Sequence, residues 1–164
     1  MFIRKIEIKD SEKFLNMLKQ LDNETTNMMY EPGERKTTIE EMTSNIKNIY
    51  SSKSLRLVAE DKGDIIGFLS AERGFAKRIS HSAYIVIGIL RNYRDKKIGA
   101  KLFEELEKWA LENKVSRLEL TVMEYNEGAI RLYEKMGFKK EGLKENSLIV
   151  DGKYVAEYYM GKII

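Results

Sequence analysis

Two stretches of the chain carry residue types that could do chemistry. In the first, Ile85 to Phe103, the apolar run Ile85-Val86-Ile87-Gly88-Ile89-Leu90 gives way to Arg91, Arg94, Lys96, Lys97, Gly99 and Lys101. A helix beginning inside that basic cluster offers unpaired N–H groups and the positive end of its dipole, which together favour an anion. Gly99 removes a side chain where a phosphate would approach the backbone. The stretch reads as a pyrophosphate cradle, although charge and glycine alone equally describe a helix start with solvated lysines. The second stretch is Asn126 to Phe138. Asn126 can cap a helix whose apolar face is Ala129, Ile130, Leu132, Tyr133 and Met136, and Gly137 stops it. Asn126 and Tyr133 then share one side, two turns apart.

Composition narrows the chemistry further. The 164 residues include no Cys and one His, His81. Zero Cys excludes a thiolate nucleophile, a disulfide scaffold and Cys-ligated metal centres. With a single histidine, no metal site is expected, and proton chemistry falls mainly to nine Tyr and 26 carboxylates. The net charge of +3, with 34% charged residues, describes a mildly basic, solvated surface. It lacks the clustered basicity of a nucleic-acid binder, and no aromatic residues are interleaved with the lysines around Lys96 to stack bases. The longest nearly apolar run, Ala83 to Leu90, is too short to span a bilayer. Residues Met1 to Ile8 mix charges with apolar residues and have no small-residue cleavage site, so a cytoplasmic protein is expected.

The elements that must position these residues follow from pattern. No repeat, linker or low-complexity segment interrupts the chain, so residues 1–164 are expected to form one domain. Ile3, Ile6 and Ile8 read as a strand. Asp10 can cap a helix carrying Phe14, Leu15, Leu18 and Leu21. Met28 to Lys36, with Pro32 and Gly33, reads as a loop. Thr38 and Glu41 form a capping box before Met42, Ile46 and Ile49. Leu55–Glu60 and Ile65–Glu72 pair across Asp61-Lys62-Gly63-Asp64. Ser80–Leu90 is a strand, Lys97–Asn113 a helix, Arg117–Met123 a strand and Asn126–Met136 a helix. Phe138–Val150 and Tyr154–Ile163 pair across Asp151-Gly152. The order is β-α-α-β-β-β-α-β-α-β-β, an α+β layout of about seven strands in one mixed sheet flanked by about four helices.

Taken together, the two chemical stretches resemble the GNAT superfamily of acyl-CoA-dependent N-acetyltransferases. That family's pyrophosphate motif, Gln/Arg-x-x-Gly-x-Gly/Ala, falls on Arg94-Asp95-Lys96-Lys97-Ile98-Gly99. Its later motif, Asn-x-x-Ala-x-x-Leu-Tyr-x-x-x-Gly-Phe, is matched at Asn126, Ala129, Leu132, Tyr133, Gly137 and Phe138. The element order matches the GNAT fold over the whole chain. The ending Asp151-Gly152-Lys153-Tyr154, with Glu157 after it, looks like the branch of ribosomal-protein and small-amine acetyltransferases. Two departures stand out. Lys97 replaces the first motif glycine, and Thr121 stands where some ribosomal-protein acetyltransferases carry a glutamate base.

The resemblance implies a mechanism and its residues. Acetyl-CoA would be the cosubstrate, with its pyrophosphate at Arg94, Lys96, Lys97, Ile98, Gly99 and Ala100. Its pantetheine arm would lie on the main chain of Ile89 and Leu90, with Asn126, Ala129 and Tyr133 alongside. A backbone N–H near Ile89 would stabilise the oxyanion, and Gly88 would mark a bulge that opens the slot for the arm. Tyr133 would be the general acid that protonates the departing thiolate. For the base, Glu72, His81, Glu119 and Glu124 are the candidates. The acceptor amine is expected between the Met28–Lys36 loop, the second helix and the last hairpin, with Tyr30, Glu31 and Glu34 attracting its charge. A protein N-terminus and a small-molecule amine both remain open as acceptors. With no Cys to carry the acetyl group, direct transfer in a ternary complex is favoured. The rival reading is a non-catalytic acyl-CoA-binding sensor or partner module. A homodimer through terminal strands is expected by the same resemblance.

Overall fold

The computed structural model describes residues 1–164. Its strands are β1 (Phe2–Lys5), β2 (Leu55–Asp61), β3 (Asp64–Arg73), β4 (Ser82–Ile89), β5 (Arg117–Met123), β6 (Lys139–Val150) and β7 (Lys153–Ile163). Its helices are α1 (Ser11–Glu24), α2 (Ile39–Ser51), α3 (Ile98–Glu112) and α4 (Glu127–Lys135). They build one seven-stranded mixed sheet in the order β1-β2-β3-β4-β5-β7-β6. Only β4 and β5 run parallel; every other neighbouring pair is antiparallel. The α+β layout and the element order expected from pattern are the ones observed.

Local signals explain most boundaries. Glu41 N–H donates to Thr38 Oγ1 at 3.1 Å and Thr38 N–H to Glu41 Oε2 at 2.8 Å, so the capping box starts α2. Both expected hairpins turn through left-handed pairs, Lys62-Gly63 and Asp151-Gly152. That backbone twist matches the twist of the flanking strands. Gly137, at φ +88°, terminates the last helix.

Other boundaries differ from expectation. β1 stops at Lys5, and Ile8 belongs to a short 3₁₀ turn, Ile8–Asp10. Asp10 does not cap α1 with its side chain. Its carboxylate instead accepts Glu7 N–H at 2.7 Å and the Arg4 guanidinium at 2.6 and 2.9 Å. β4 begins only at Ser82, which leaves His81 exposed in the preceding turn.

Strand alternation sorts the side chains onto two faces. On one face Val58, Ile65 and Phe68 pack under α1 and α2 with Phe14, Leu18, Leu21 and Ile46. On the other, Leu57, Leu69, Ile85, Leu118 and Leu120 pack under α3 and α4 with Leu102, Phe103, Leu106 and Tyr133. Phe103 meets Tyr133 and Phe138 edge-on, with centroids 5.8 and 5.5 Å apart, and so seats α4. The face from β4 onward is partly uncovered: Tyr84 and Val86 are each 40% exposed there.

The loop between α1 and α2 is held by an ion pair. Arg35 donates Nε and Nη2 to the Asp22 carboxylate at 2.7 and 3.0 Å. The Asp22 side chain is 1% exposed, and the same guanidinium lies 4.4 Å from the Tyr30 ring centroid. Removing one partner of such a pair strands a buried charge. Arg35→Met should therefore lower unfolding stability by about 3 kcal/mol, and Asp22→Leu in the same chain should recover most of that loss. Urea denaturation of the single and double variants checks this; an unchanged midpoint in Arg35→Met would mean that the pair does not hold the loop.

Candidate active site

β4 and β5 are paired over three residues only, Ser82–Tyr84 with Arg117–Glu119. Beyond Tyr84 the strands part. Leu90 N–H donates to Ile66 O, so Leu90 faces β3. By alternation, the N–H and C=O of Ile89 and Ile87 face the gap toward β5, where no strand pairs with them. Arg94 Nε donates to the Ile89 carbonyl at 3.1 Å.

This geometry corrects two expectations. Leu90 turns its main chain away from the gap, its N–H donating to Ile66 O and its carbonyl accepting Tyr93 N–H. Ile87 is the residue that sequence reasoning missed, and stepping by two from Ile89 would have found it. Gly88 marks no bulge, because the β3–β4 register runs unbroken through Phe68↔Gly88. A Cβ at Gly88 would lie 2.8 Å from both Leu21 and Phe68, so the glycine admits the α1 side of the core.

At the end of β4 a short 3₁₀ turn, Arg91–Tyr93, leads into α3. Asp95 and Lys97 both have left-handed backbones, φ +60° and +61°, on either side of Lys96. Such alternation turns successive N–H groups into a concave, anion-accepting loop. The first helical bond is Lys101 N–H to Lys97 O. The N–H groups of Ile98, Gly99 and Ala100 therefore precede the α3 ladder, and no side chain caps them. Arg94, Lys96 and Lys97 are exposed beside them, with Lys96 4.9 Å from the Tyr93 ring centroid.

Gly99 is needed for a different reason than expected. It is buried, and a Cβ there would lie 2.7 Å from Leu132 Cδ2. The missing side chain lets α4 close against the start of α3. Asn126 caps α4, its Oδ1 accepting Ala129 N–H at 3.3 Å. Tyr133, two turns on, is 7% exposed. Burial, and to a smaller degree the neighbouring Tyr84 phenol, hold its pKa well above the ordinary phenol range. No protein group bonds the Tyr133 hydroxyl. That oxygen is not sealed in either, because the protein has no buried side-chain oxygen or nitrogen without a partner.

The base candidates do not converge. Glu72 and Glu119 both lie across from Tyr84, on β3 and β5. Glu119 is engaged by Arg117 Nε at 2.8 Å, whereas Glu72 makes no hydrogen bond or ion pair. Glu124 lies past the end of β5, where its N–H bonds Ala156 O. The paired segment Ser82–Tyr84 separates His81 from the opening between the strands. Thr121 is bridged instead: Tyr84 Oη and Thr121 Oγ1 lie 2.7 Å apart, a link across the two strands that sequence offered no signal for.

A cavity of about 590 Å³ adjoins the open end of β5. Its walls are the last turn of α1 (Asp22–Glu24), residues 25, 26 and 28–32, Met123 and the β6–β7 hairpin from Leu148 to Asp151. The expected loop and hairpin are there, and Tyr30 and Glu31 line it. α2 contributes nothing to it, and Glu34 stays outside its walls, its exposed carboxylate accepting Glu31 N–H at 2.8 Å. Glu24 joins this wall to the basic loop. Burial pushes its carboxyl up, but the Arg91 N–H at 2.7 Å and the Gln20 amide outweigh that and hold it below the usual carboxylate range. The Arg91 guanidinium also donates to the Glu24 carbonyl.

Comparison with known proteins agrees with this geometry. A family model described as the Acetyltransferase (GNAT) family matches residues 15–138. The chain is 32% identical over 112 residues to the L-amino acid N-acetyltransferase AaaT of Escherichia coli K12, covering 66% of this chain and 67% of that one. A GNAT-family acetyltransferase from Streptococcus pneumoniae superimposes with a TM-score of 0.95 at 32% identity, over 99% of both chains. The Salmonella typhimurium acetyltransferase yncA, solved with its cofactor acetyl-CoA, shares the fold at a TM-score of 0.89 and 16% identity, over 99% of this chain and 93% of that one. The split between β4 and β5, the uncapped start of α3 beyond it and the matching family model lead to one conclusion: this chain belongs to the GNAT family and is an acetyl-CoA-dependent N-acetyltransferase.

Proposed function

We propose that the protein moves the acetyl group of acetyl-CoA directly to a primary amine held in the 590 Å³ cavity, within a ternary complex. The observation that carries this reading is the parting of β4 and β5 after Tyr84. The gap has unpaired main chain on one side and the unbonded Tyr133 hydroxyl nearby, and its outer end adjoins the cavity. The relative AaaT, whose acceptors are L-amino acids by its name, supports an α-amine as the nucleophile. The absence of Cys closes a route through a cysteine-linked acetyl group.

Each residue then has a task. The N–H groups of Ile98, Gly99 and Ala100, with Arg94, Lys96 and Lys97, hold the pyrophosphate. Ile87 and Ile89 hold the pantetheine arm through their main chains, with Asn126 and Ala129 on the opposite wall. Ile89 N–H donates to the thioester carbonyl, and that bond strengthens as charge builds on the oxygen. Glu72 is the base acting through water, since it is the candidate beside Tyr84 whose carboxylate is not already bonded. It takes a proton from the ammonium, and the freed amine attacks the carbonyl carbon. Tyr133 gives its proton to sulfur as the carbon–sulfur bond breaks, and the proton lost from the new amide nitrogen restores the phenol. The same reading makes the protein a cytoplasmic homodimer joined through terminal strands. β6 is the open edge of the sheet, with its first eight residues all exposed. No helix is long and apolar enough to cross a membrane.

Acetyl-CoA-dependent thiol release over a panel of amines tests the activity itself; binding of acetyl-CoA with no transfer to any amine would leave only the sensor reading. Tyr133→Phe should lower kcat about 10²-fold while the Kd for acetyl-CoA stays the same. Tyr133 must be protonated to act, and its pKa is raised, so its contribution is lost only as pH climbs beyond about 10. An alkaline limb of kcat below that pH, absent from Tyr133→Phe, would contradict the assignment. Glu72→Gln should move the acid limb, whereas His81→Ala should not; the reverse pattern would exchange their roles.

Lys97 occupies a left-handed position that glycine takes without strain. Lys97→Gly should raise stability by about 0.5–1 kcal/mol and weaken acetyl-CoA severalfold, with a shallower salt dependence. Calorimetry at two salt concentrations checks both; unchanged affinity would place the lysine side chain in solvent.

A further inference from the structure

The cavity that the proposed reading gives to the acceptor has a one-sided charge. None of its fifteen lining residues is Lys, Arg or His, while four are carboxylates: Asp22, Glu24, Glu31 and Asp151. Asp22 is neutralised by Arg35. Glu24 is held ionised by the bonds from Arg91 and Gln20. Glu31 and Asp151 have no cationic partner. The two nearest guanidiniums are already engaged. Arg35 is bonded twice to Asp22 and stacked on Tyr30, and Arg91 donates to the Glu24 carbonyl.

Backbone charge has the same sign. Residues Asp22–Thr25 are the last turn of α1 and its C-cap, so the negative end of that helix dipole faces the cavity. Seven of the other lining residues are apolar, including Met29, Tyr30, Met123 and Ile149, and the polar ones, Asn23, Thr25 and Thr26, carry no charge. A cationic amine with an apolar body suits such walls. A carboxylate attached to the carbon next to that amine does not, because it would be desolvated among like charges with no lining cation to pair with it.

We infer that the acceptor is an apolar primary amine whose neighbouring carboxylate is absent or masked, as in a simple alkylamine, an amino-acid amide or the N-terminus of a peptide, and that free amino acids are discriminated against. The inference rests on the cavity being the acceptor site, as proposed above. Glu31 and Asp151 set the discrimination; Asp22 and Glu24 shape the wall.

The test uses one side chain in four chemical forms: L-leucine, L-leucinamide, 3-methylbutylamine and a tripeptide with N-terminal leucine. With acetyl-CoA saturating, kcat/KM for leucinamide and 3-methylbutylamine should exceed that for leucine by about tenfold or more. 3-Methylbutylamine is the control for basicity. Its amine is no more acidic than that of leucine, so its advantage cannot come from a larger free-base fraction. The tripeptide separates the two sources of the same chemistry. If it outruns leucinamide, the acceptor is a peptide N-terminus; if it lags both small amines, the acceptor is a small molecule. The double variant Glu31→Lys with Asp151→Asn should reduce the amide-to-acid ratio by about fivefold or more, mainly through a lower KM for leucine. Asn is chosen at position 151 because it tolerates the left-handed backbone there, φ +50°. Leucine turned over as well as its amide, or a ratio unmoved by the double variant, would overturn the inference while leaving the transferase reading intact. Acetyl-CoA binding by calorimetry without transfer to any amine would overturn the transferase reading, and this inference with it.

Discussion

The site depends on two strands that begin side by side and then separate. A parallel pair could have continued along β4 and β5; it stops after three residues. Main-chain N–H and C=O groups left without a strand partner must find water, a side chain or a ligand. At Ile87 and Ile89 those groups line a gap between two strands of a packed sheet. An extended ligand carrying amide groups can occupy such a gap as a missing strand would. The other parts follow from the gap. β4 delivers its own end to the start of α3, so the uncapped N–H groups proposed to bind phosphate lie beyond the end of the slot. α4 closes the far side, because Gly99 lets Leu132 approach within the space of one side chain. Phe103 and Phe138 then hold Tyr133 with its ring buried and its hydroxyl unbonded.

Much of this was legible in the sequence, and the errors share a cause. The capping box at Thr38 and Glu41, the two left-handed hairpin turns and the Gly137 stop depend on residues within four positions of one another. Their outcome is decided locally, and they came out as expected. Gly99 is legible as a place where a side chain is forbidden, but for the wrong neighbour, and Gly88, expected as a bulge, is instead a close approach within an unbroken register. What approaches them is Leu21, Phe68 and Leu132, side chains distant in sequence that only the fold brings near. Leu90 failed by one residue of phase, since alternation sends its groups to β3 and those of Ile89 to the gap. His81 failed by a strand boundary two residues late. The acceptor cavity was half legible: loop and hairpin were expected, but the last turn of α1 was not, because nothing in its sequence says which element its final carboxylates will face.

In the proposed mechanism the acid and the base are supplied on different principles. Burial raises the Tyr133 phenol, which weakens it as an acid in equilibrium terms. The same burial keeps the proton in place at every pH where the protein would work. Once the carbon–sulfur bond begins to break, the growing thiolate lies in the same poorly solvated gap and its basicity rises as well. The two effects offset, so the transfer need not be steeply uphill. At position 121 a carboxylate would sit directly against the opening, and here Thr121 is hydrogen-bonded to Tyr84 instead. That hydroxyl pair puts no carboxylate at the opening. Deprotonation of the amine then falls to a carboxylate outside the narrowest point, which suits an acceptor that arrives as a cation through an acidic cavity.

Glu24 makes these two binding regions one piece of structure. Its side chain lines the acceptor cavity and accepts the Arg91 N–H, and its carbonyl accepts the Arg91 guanidinium. Arg91 starts the turn that leads to Asp95 and Lys97, the two left-handed residues of the phosphate loop. Two hydrogen bonds thus fasten the end of α1 to the start of the cofactor loop across 67 residues of sequence. Were that link missing, the wall of the cavity would be fixed mainly by Arg35 and Asp22, and the loop after β4 by Arg94 on the Ile89 carbonyl and by the buried Ile98. With it, the acetyl donor and the amine of the proposed ternary complex would be held against a common frame, and the proposed direct transfer requires such a frame, because both reactants must meet in one geometry.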